Sequence, residues 1–419
     1  MREHLAGRVC VVAAILMAVP GVALAQKALT WQQVRDRFET TNPTLRAARV
    51  GVDEARAQEI TAFLRPNPSM TATFDQIAPF NGNPYRPLGA ALPYLSASYL
   101  HERDGKRELR LESAQKGTAV AVSQLADQER TLLFGLRTAF VQTLQQKAVV
   151  ALANENLAYY DRLLGVSADR YKAGDIAQVD LDRLELQRVQ FETDLQTALV
   201  NLRTAKIQLL TLLDDRTGVE QFDVTGPFEF NEQILTREEL HRIALANRPD
   251  LRAAAQAVEK ARTDHRLAVA NGSSDPTFSV DVARNPPIPA YFGISVTIPL
   301  RIFDRNQGEK ARTQLDIQRN QRLQDATLAQ VFSDTDSGFE TLNSTRVLLR
   351  AYKSKYLEQA TRVRETVSFA YQHGGASLLD FLSAQNDYRS VQLNYLNLVG
   401  AYMTAASQLN MAAGTEVIK

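Results

Sequence analysis

The sequence predicts a mainly α-helical protein with a small β part, built by internal duplication. Three observations carry this. None of the 15 prolines falls in residues 94–226 or 300–419, so two stretches of more than a hundred residues lack the strongest helix breaker. Four short segments of alternating small or polar and apolar residues lie in two pairs among the prolines. Two sets of identities also recur at nearly constant offsets along the chain.

Composition narrows the class. At 419 residues, 45% hydrophobic and 23% charged, the chain has the make-up of a folded protein and not of a disordered one. Its 48 Lys+Arg against 47 Asp+Glu give a formal net charge of +1, which offers no attraction for nucleic acid. The single cysteine, Cys10, excludes a disulfide framework and a cysteine-based metal cluster.

The first residues read as an export signal. Arg2 and Arg8 precede the apolar run Val9 to Val19, Pro20-Gly21 break it, and Ala23-Leu24-Ala25 fits the small-x-small cleavage pattern. Cleavage is expected between Ala25 and Gln26, and the run is short of the ~20 residues a spanning helix needs. No later segment holds eighteen consecutive apolar residues, so any membrane contact must be made by β-strands.

The rest divides into a first repeat over 26–214, a linker over 215–234, a second repeat over 235–414 and a short tail over 415–419. Leu29 to Arg56 aligns with Leu235 to Arg262, centred on Pro43-Thr44-Leu45-Arg46-Ala47-Ala48 against Pro249-Asp250-Leu251-Arg252-Ala253-Ala254. Further on, Tyr171, Gly174, Asp180, Thr204, Ala205, Gln208 and Leu209 match Tyr371, Gly374, Asp380, Thr404, Ala405, Gln408 and Leu409. Such a period is too long for a solenoid unit.

Within the first repeat, Trp31 to Leu64 has helical spacing with a break and restart at Asn42-Pro43, and Pro66 and Pro68 end it. Strands are expected over Ser69 to Asp75 and Leu95 to His101, around a long loop at Gln76 to Tyr94. The second repeat has strands at Thr277 to Ala283 and Tyr291 to Leu300, around a shorter loop at Arg284 to Ala290. Uninterrupted helices are expected from about Asp104 to Tyr171 and from Asp304 to Tyr371, each spanning roughly 100 Å at about 1.5 Å per residue. After tight turns, the returning helices carry a 3-4 stripe. It runs Leu181, Leu184, Arg188, Phe191, Leu195, Ala198, Leu202, Ala205, Leu209, Leu212, and continues 200 residues later from Phe381 to Ala412. That period means supercoiled helix pairs, and the stripe is core. Four strands cannot close a membrane barrel, so the chain must oligomerise unless the strands form a small soluble sheet.

The repeated Asn/Arg-Pro-x-Leu-x-x-Ala motif, the segment Gly293 to Asn306 and the Tyr-x-x-Gly turns, each with an Asp six residues beyond its Gly, resemble the TolC-type outer membrane factors. The resemblance spans nearly the whole chain after residue 25. It implies a homotrimer with a twelve-stranded transmembrane β-barrel and a long coiled-coil helical barrel through the periplasm. Such a trimer is the exit duct of a tripartite efflux pump or type I secretion system, set in outer-membrane lipid of a Gram-negative bacterium. Its implied partners are a periplasmic adaptor (membrane fusion) protein and an inner-membrane transporter of the resistance-nodulation-division type. The segment Ile298 to Gly308 and Gly105-Lys106-Arg107 look most like the cobalt-zinc-cadmium heavy-metal branch.

By the same resemblance, the turns at Tyr171, Gly174 and Asp175 and at Gly374 and Gly375 are where the adaptor docks. Asp380, Asp180 and Tyr371 are the periplasmic gate candidates. Three Asp380 carboxylates around one axis would attract cations and raise one another's pKa. Ser383 and Ala376 depart from members that place a second aspartate and a latch arginine there, which implies a weaker or differently latched gate.

Other chemistry is not indicated. His101, His241, His265 and His373 have no ligand spacing, and no zinc, phosphate-loop or nucleophile-elbow motif is present, so no cofactor, metal site or enzymatic activity is expected. The leading function is a passive exit duct. The alternatives are a periplasmic coiled-coil adaptor or scaffold, or a duct for organic toxicants or a type I secretion substrate. A secreted enzyme is a weaker third class.

Overall fold

The computed structural model describes residues 28–77, 80, 88, 91–232, 236–285 and 287–418. The expected signal segment, with Cys10 and the Ala25–Gln26 junction, lies outside the described residues, as does most of the loop expected over 76–94.

The two repeats start alike. α1 (Trp31–Thr41) and α5 (Arg237–Asn247) are both capped by a threonine: Thr30 with Gln33, and Thr236 with Glu239, each exchange side-chain and backbone hydrogen bonds across the first turn. α2 (Pro43–Phe63) and α6 (Pro249–Ala270) both place proline in the first helical turn, where its missing N–H costs nothing. The residues ahead of these prolines have diverged in chemistry but keep one task. Asn42 donates from Nδ2 to the Leu212 carbonyl at 2.9 Å, while Arg248 reaches the Ala412 carbonyl at 3.4 Å. These carbonyls are equivalent in the duplication, at the ends of α4 (Gln178–Leu212) and α9 (Leu378–Ala413).

The long helices follow the absence of proline. α3 (Lys106–Ala173) is 68 residues without interruption, about 100 Å long. Its counterpart departs from the expected single helix: α7 (Gln307–Ala351) passes through a π-helical turn, Tyr352–Tyr356, into α8 (Leu357–Gln372). Both long helices are entered from a residue in left-handed conformation, Gly105 at φ 65° and Asn306 at φ 61°. Leu181, Leu184, Phe191, Ala198, Ala205 and Leu209 of the α4 stripe are buried, as expected of a core seam. Arg188 corrects that expectation: its guanidinium stays partly exposed and pairs with Asp161 at 2.6 Å, because an unpaired charge is costly to bury.

Residues 215–232 cross back over the waist of the molecule. Leu29 and Val224 form a parallel bridge, with Leu29 N–H donating to the Asp223 carbonyl at 2.9 Å. The adjoining core gathers Val34 and Phe38 of α1, Leu136 and Phe140 of α3 and Leu209 of α4 around Phe222 and Val224.

The strands form one antiparallel sheet in the order β1-β2-β3-β4: β1 Ser69–Asp75, β2 Leu92–Leu100, β3 Thr277–Asn285 and β4 Ile288–Thr297. The central pairing joins the repeats, with Ala97 opposite Val280, and leaves β1 and β4 as edges. The expected boundaries shift. β2 begins three residues early, β4 lies at 288–297 instead of 291–300, and most of the loop expected over 284–290 is strand. Pro289 argues for loop in the sequence, but an edge strand tolerates a residue that donates no hydrogen bond.

Candidate functional site

The strand register sorts the sheet into two faces. One carries Met70, Ala72 and Phe74 beside Leu95, Ala97 and Tyr99, then Phe278, Val280 and Val282, then Phe292, Ile294 and Val296. Most of its large side chains are exposed, Phe292 at 66% and Ile294 at 74%. The other face carries Ser69, Thr71 and Thr73, then Ser96 and Ser98, then Ser279 and Asp281, then Gly293, Ser295 and Thr297. Asp281 faces Gly293, where a Cβ would sit 2.5 Å from its carboxylate, so the glycine makes room for an acidic side chain on the polar face. A sheet with a bare apolar face and two open edges is unsuited to water, and it suits a lipid-facing barrel segment completed by further strands.

Below the sheet, the repeats are clamped by an ion pair that sequence reasoning missed. Lys106, only 4% exposed, donates from Nζ to Asp275 at 2.7 Å and to the Ser273 carbonyl at 3.0 Å. Asp275 also accepts from Arg103 N–H at 2.9 Å. Burial pushes the Asp275 carboxyl up, but the bonds from Lys106 and Arg103 and the charges of Lys106 and Arg301 hold it below its ordinary value. At the waist, burial likewise opposes Lys147 and Lys206 at Asp223, and the lysines win.

At the far end of the hairpins the two expected turns close by one geometry. Gly174 (φ 83°) donates to the Tyr171 carbonyl at 2.9 Å and Asp175 to the Arg170 carbonyl at 2.9 Å. Gly374 (φ 76°) donates to the Tyr371 carbonyl at 3.2 Å and Gly375 to the Ala370 carbonyl at 2.7 Å. These are left-handed helix caps, which explains the glycines. The tyrosines before them differ. Tyr171 is exposed, whereas Tyr371 is buried against Phe381, ring centroids 5.0 Å apart, in a core with Tyr160, Leu163, Leu184 and Phe191. Burial raises the Tyr371 phenol above its ordinary value, against the opposing Ser167 hydroxyl and Arg170 charge. Arg170 donates to the Tyr371 carbonyl at 3.0 Å, tying the turns together.

The two aspartates also differ. Asp380 completes a capping box: its N–H donates to Ser377 Oγ at 3.1 Å, and its Oδ2 accepts from Ser377 N–H at 3.3 Å and Oγ at 2.7 Å. Asp180 follows Ala177, which offers no side-chain cap, and meets Arg183 at 3.9 Å. Among the described residues, no group of three or more His, Cys, Asp or Glu could hold a metal ion, and no helix is long and apolar enough to cross a membrane.

The family model for outer membrane efflux proteins matches residues 240–415. The matched stretch is the second repeat. Among the chain's relatives, the cobalt-zinc-cadmium resistance protein CzcC of Cupriavidus metallidurans is 26% identical over 324 residues, 75% of each chain. The pyoverdine export outer membrane protein OpmQ of Pseudomonas aeruginosa is 24% identical over 334 residues, 76% of this chain and 69% of the relative. The fold matches solved structures of CusC (TM-score 0.77, 17% identity, 92% of each chain) and of VceC from Vibrio cholerae (0.76, 17%, 92% of this chain and 96% of that one). It also matches the open state of the Neisseria gonorrhoeae MtrE channel (0.75, 19%, 92% and 89%). The similarity supports an exit duct of tripartite efflux, and the matched family is one of transport channels.

Proposed function

We propose that three copies close their sheets into a twelve-stranded barrel in the outer membrane and their hairpins into a periplasmic tube, and that the cargo is heavy-metal cations. The observation that carries the closure is the sheet itself: an apolar face, a polar face and two unpaired edges. Each edge strand needs a partner, and a second copy supplies the same edge it lacks. The metal reading rests on similarity to the cobalt-zinc-cadmium resistance protein.

In this reading the turns at Tyr171–Asp175 and Tyr371–Gly375 form the periplasmic end, where a periplasmic adaptor docks and passes cargo from a resistance-nodulation-division transporter. Asp180 and Asp380 ring the opening, Asp380 through the Oδ1 that its cap leaves free. Tyr371 acts from inside the hairpin core, setting the spacing of the two turns. The segment ahead of Gln26 directs export and is then removed by cleavage after Ala25.

Deletion of the gene tests the cargo. Sensitivity to zinc, cobalt and cadmium, with unchanged tolerance of organic toxicants, is the expected outcome. The reverse pattern, or a defect confined to siderophore release, would favour the second reading that similarity to the pyoverdine exporter supports.

A further inference from the structure

The duplication supplies a filled and an open version of one joint. In the first hairpin, Tyr160, Leu163, Leu184 and Phe191 form one core with Tyr371 of the second hairpin, and all five are buried. The positions 200 residues further on are Ala360, Val363, Ala384 and Val391, each smaller than its counterpart. These four line an open groove of about 360 Å³ between α8 and α9, with Tyr352 and Tyr356 of the π turn also on its wall. By the same offset, the side chain that fills such a groove is Tyr171, yet in its own chain Tyr171 is 39% exposed where Tyr371 is 6% exposed.

The same relation holds further from the turns. Gly400 and Ser407 of α9 are buried, Gly400 against Gln145 of α3, whereas their counterparts on α4, Val200 and Ile207, are 56% and 53% exposed. With the exposed Val179 and Leu186 they lie at multiples of seven residues along α4, the spacing of a face that meets another helix. The polar links of the in-chain joint are not repeated on the open side. Arg170, which donates to the Tyr371 carbonyl, is matched by Ala370. Tyr159 and Ser368, hydrogen-bonded at 2.9 Å, are matched by Gln359 and Ala168, and the Asp194–Arg389 ion pair by Asn394 and Val189.

We propose that the groove between α8 and α9 is the seat for a second copy of this chain: Tyr171 of one copy enters the groove of the next, and the α4 stripe of the first lies along α7 of the next. The proposal rests on the trimeric reading. Both observations give one polarity, first hairpin onto second, which is the head-to-tail arrangement that closes a ring. The joint between copies is then apolar at the positions where the joint within a chain is held by an ion pair and hydrogen bonds.

The test uses introduced cysteine pairs in the full chain, with Cys10→Ser so that no other thiol is present. Treated with a short bismaleimide in isolated outer membranes, Tyr171→Cys/Val363→Cys is expected to give covalent species of two and three chain masses. Tyr159→Cys/Ser368→Cys, across the in-chain joint, is expected to stay at one chain mass. Linkage of the first pair within a single chain, or no linkage in protein that has three times the chain mass in detergent, would overturn the seat alone. Protein of one chain mass in detergent would overturn the seat together with the trimeric reading. In the second arm, Ala360→Trp fills the groove and should lower the linkage between copies about fivefold or more. Unchanged linkage in that variant would overturn the groove as the seat.

Discussion

Lys106 and Asp275 meet at 2.7 Å across the joint between the two repeats, directly beneath the sheet. One opens α3 and the other leads into β3, so the pair fixes how the sheet sits on the helices. Breaking one side leaves an uncompensated charge in a largely buried place. Lys106→Met is expected to destabilise the protein by about 3 kcal/mol, read as a lowered unfolding midpoint in detergent, and Lys106→Met/Asp275→Leu to recover most of it.

The same logic separates the two repeats. Asn42→Ala removes an N-cap, at about 1 kcal/mol. Arg248→Ala strands Asp250 and Asp334, which Arg248 holds at 2.6 and 2.8 Å, and should cost about 3 kcal/mol. Denaturant unfolding of the two variants side by side checks the ordering.

Acid stability follows from the carboxylates held low. Asp215, Asp223, Asp250 and Asp275 all have folded-state pKa values below the unfolded one. Their contribution is present above about pH 4 and is lost as pH falls through the depressed values. The buried phenols of Tyr160 and Tyr371 and the half-buried one of Tyr395 are raised, so their contribution is present below about pH 10 and is lost as pH rises further. A profile of thermal midpoint against pH should be flat between these limits.

Asp380 is expected to serve the cap and the opening separately. Asp380→Ala should raise single-channel conductance or leak of large antibiotics and also lower stability. Ser377→Ala should lower stability by about 1 kcal/mol through loss of the cap, with the carboxylate and conductance kept. Equal conductance in wild type and Asp380→Ala would count against the gate.

Periodicity made the long helices, the four strands and the duplication readable, because each depends on local spacing. What was not readable depends on distance or context. Lys106 and Asp275 are 169 positions apart, and no local pattern links them. The π turn at Tyr352–Tyr356 has no proline or glycine to mark it. Strand ends near Pro287 and Pro289 looked like loop because an edge position is a property of the sheet and not of the segment. Of the candidate site, the glycine turns were visible in Tyr-x-x-Gly, whereas the burial of Tyr371 is set by Phe381 on the returning helix.

The central claim is that one chain supplies a third of a barrel. The most direct measurement is the mass of the outer-membrane-extracted protein in detergent, by light scattering corrected for bound detergent, together with its electrophoretic mobility before and after heating. A mass three times that of the chain, with a heat-dependent shift to the monomer position, is the predicted result. A periplasmic monomer of unchanged mobility would contradict it.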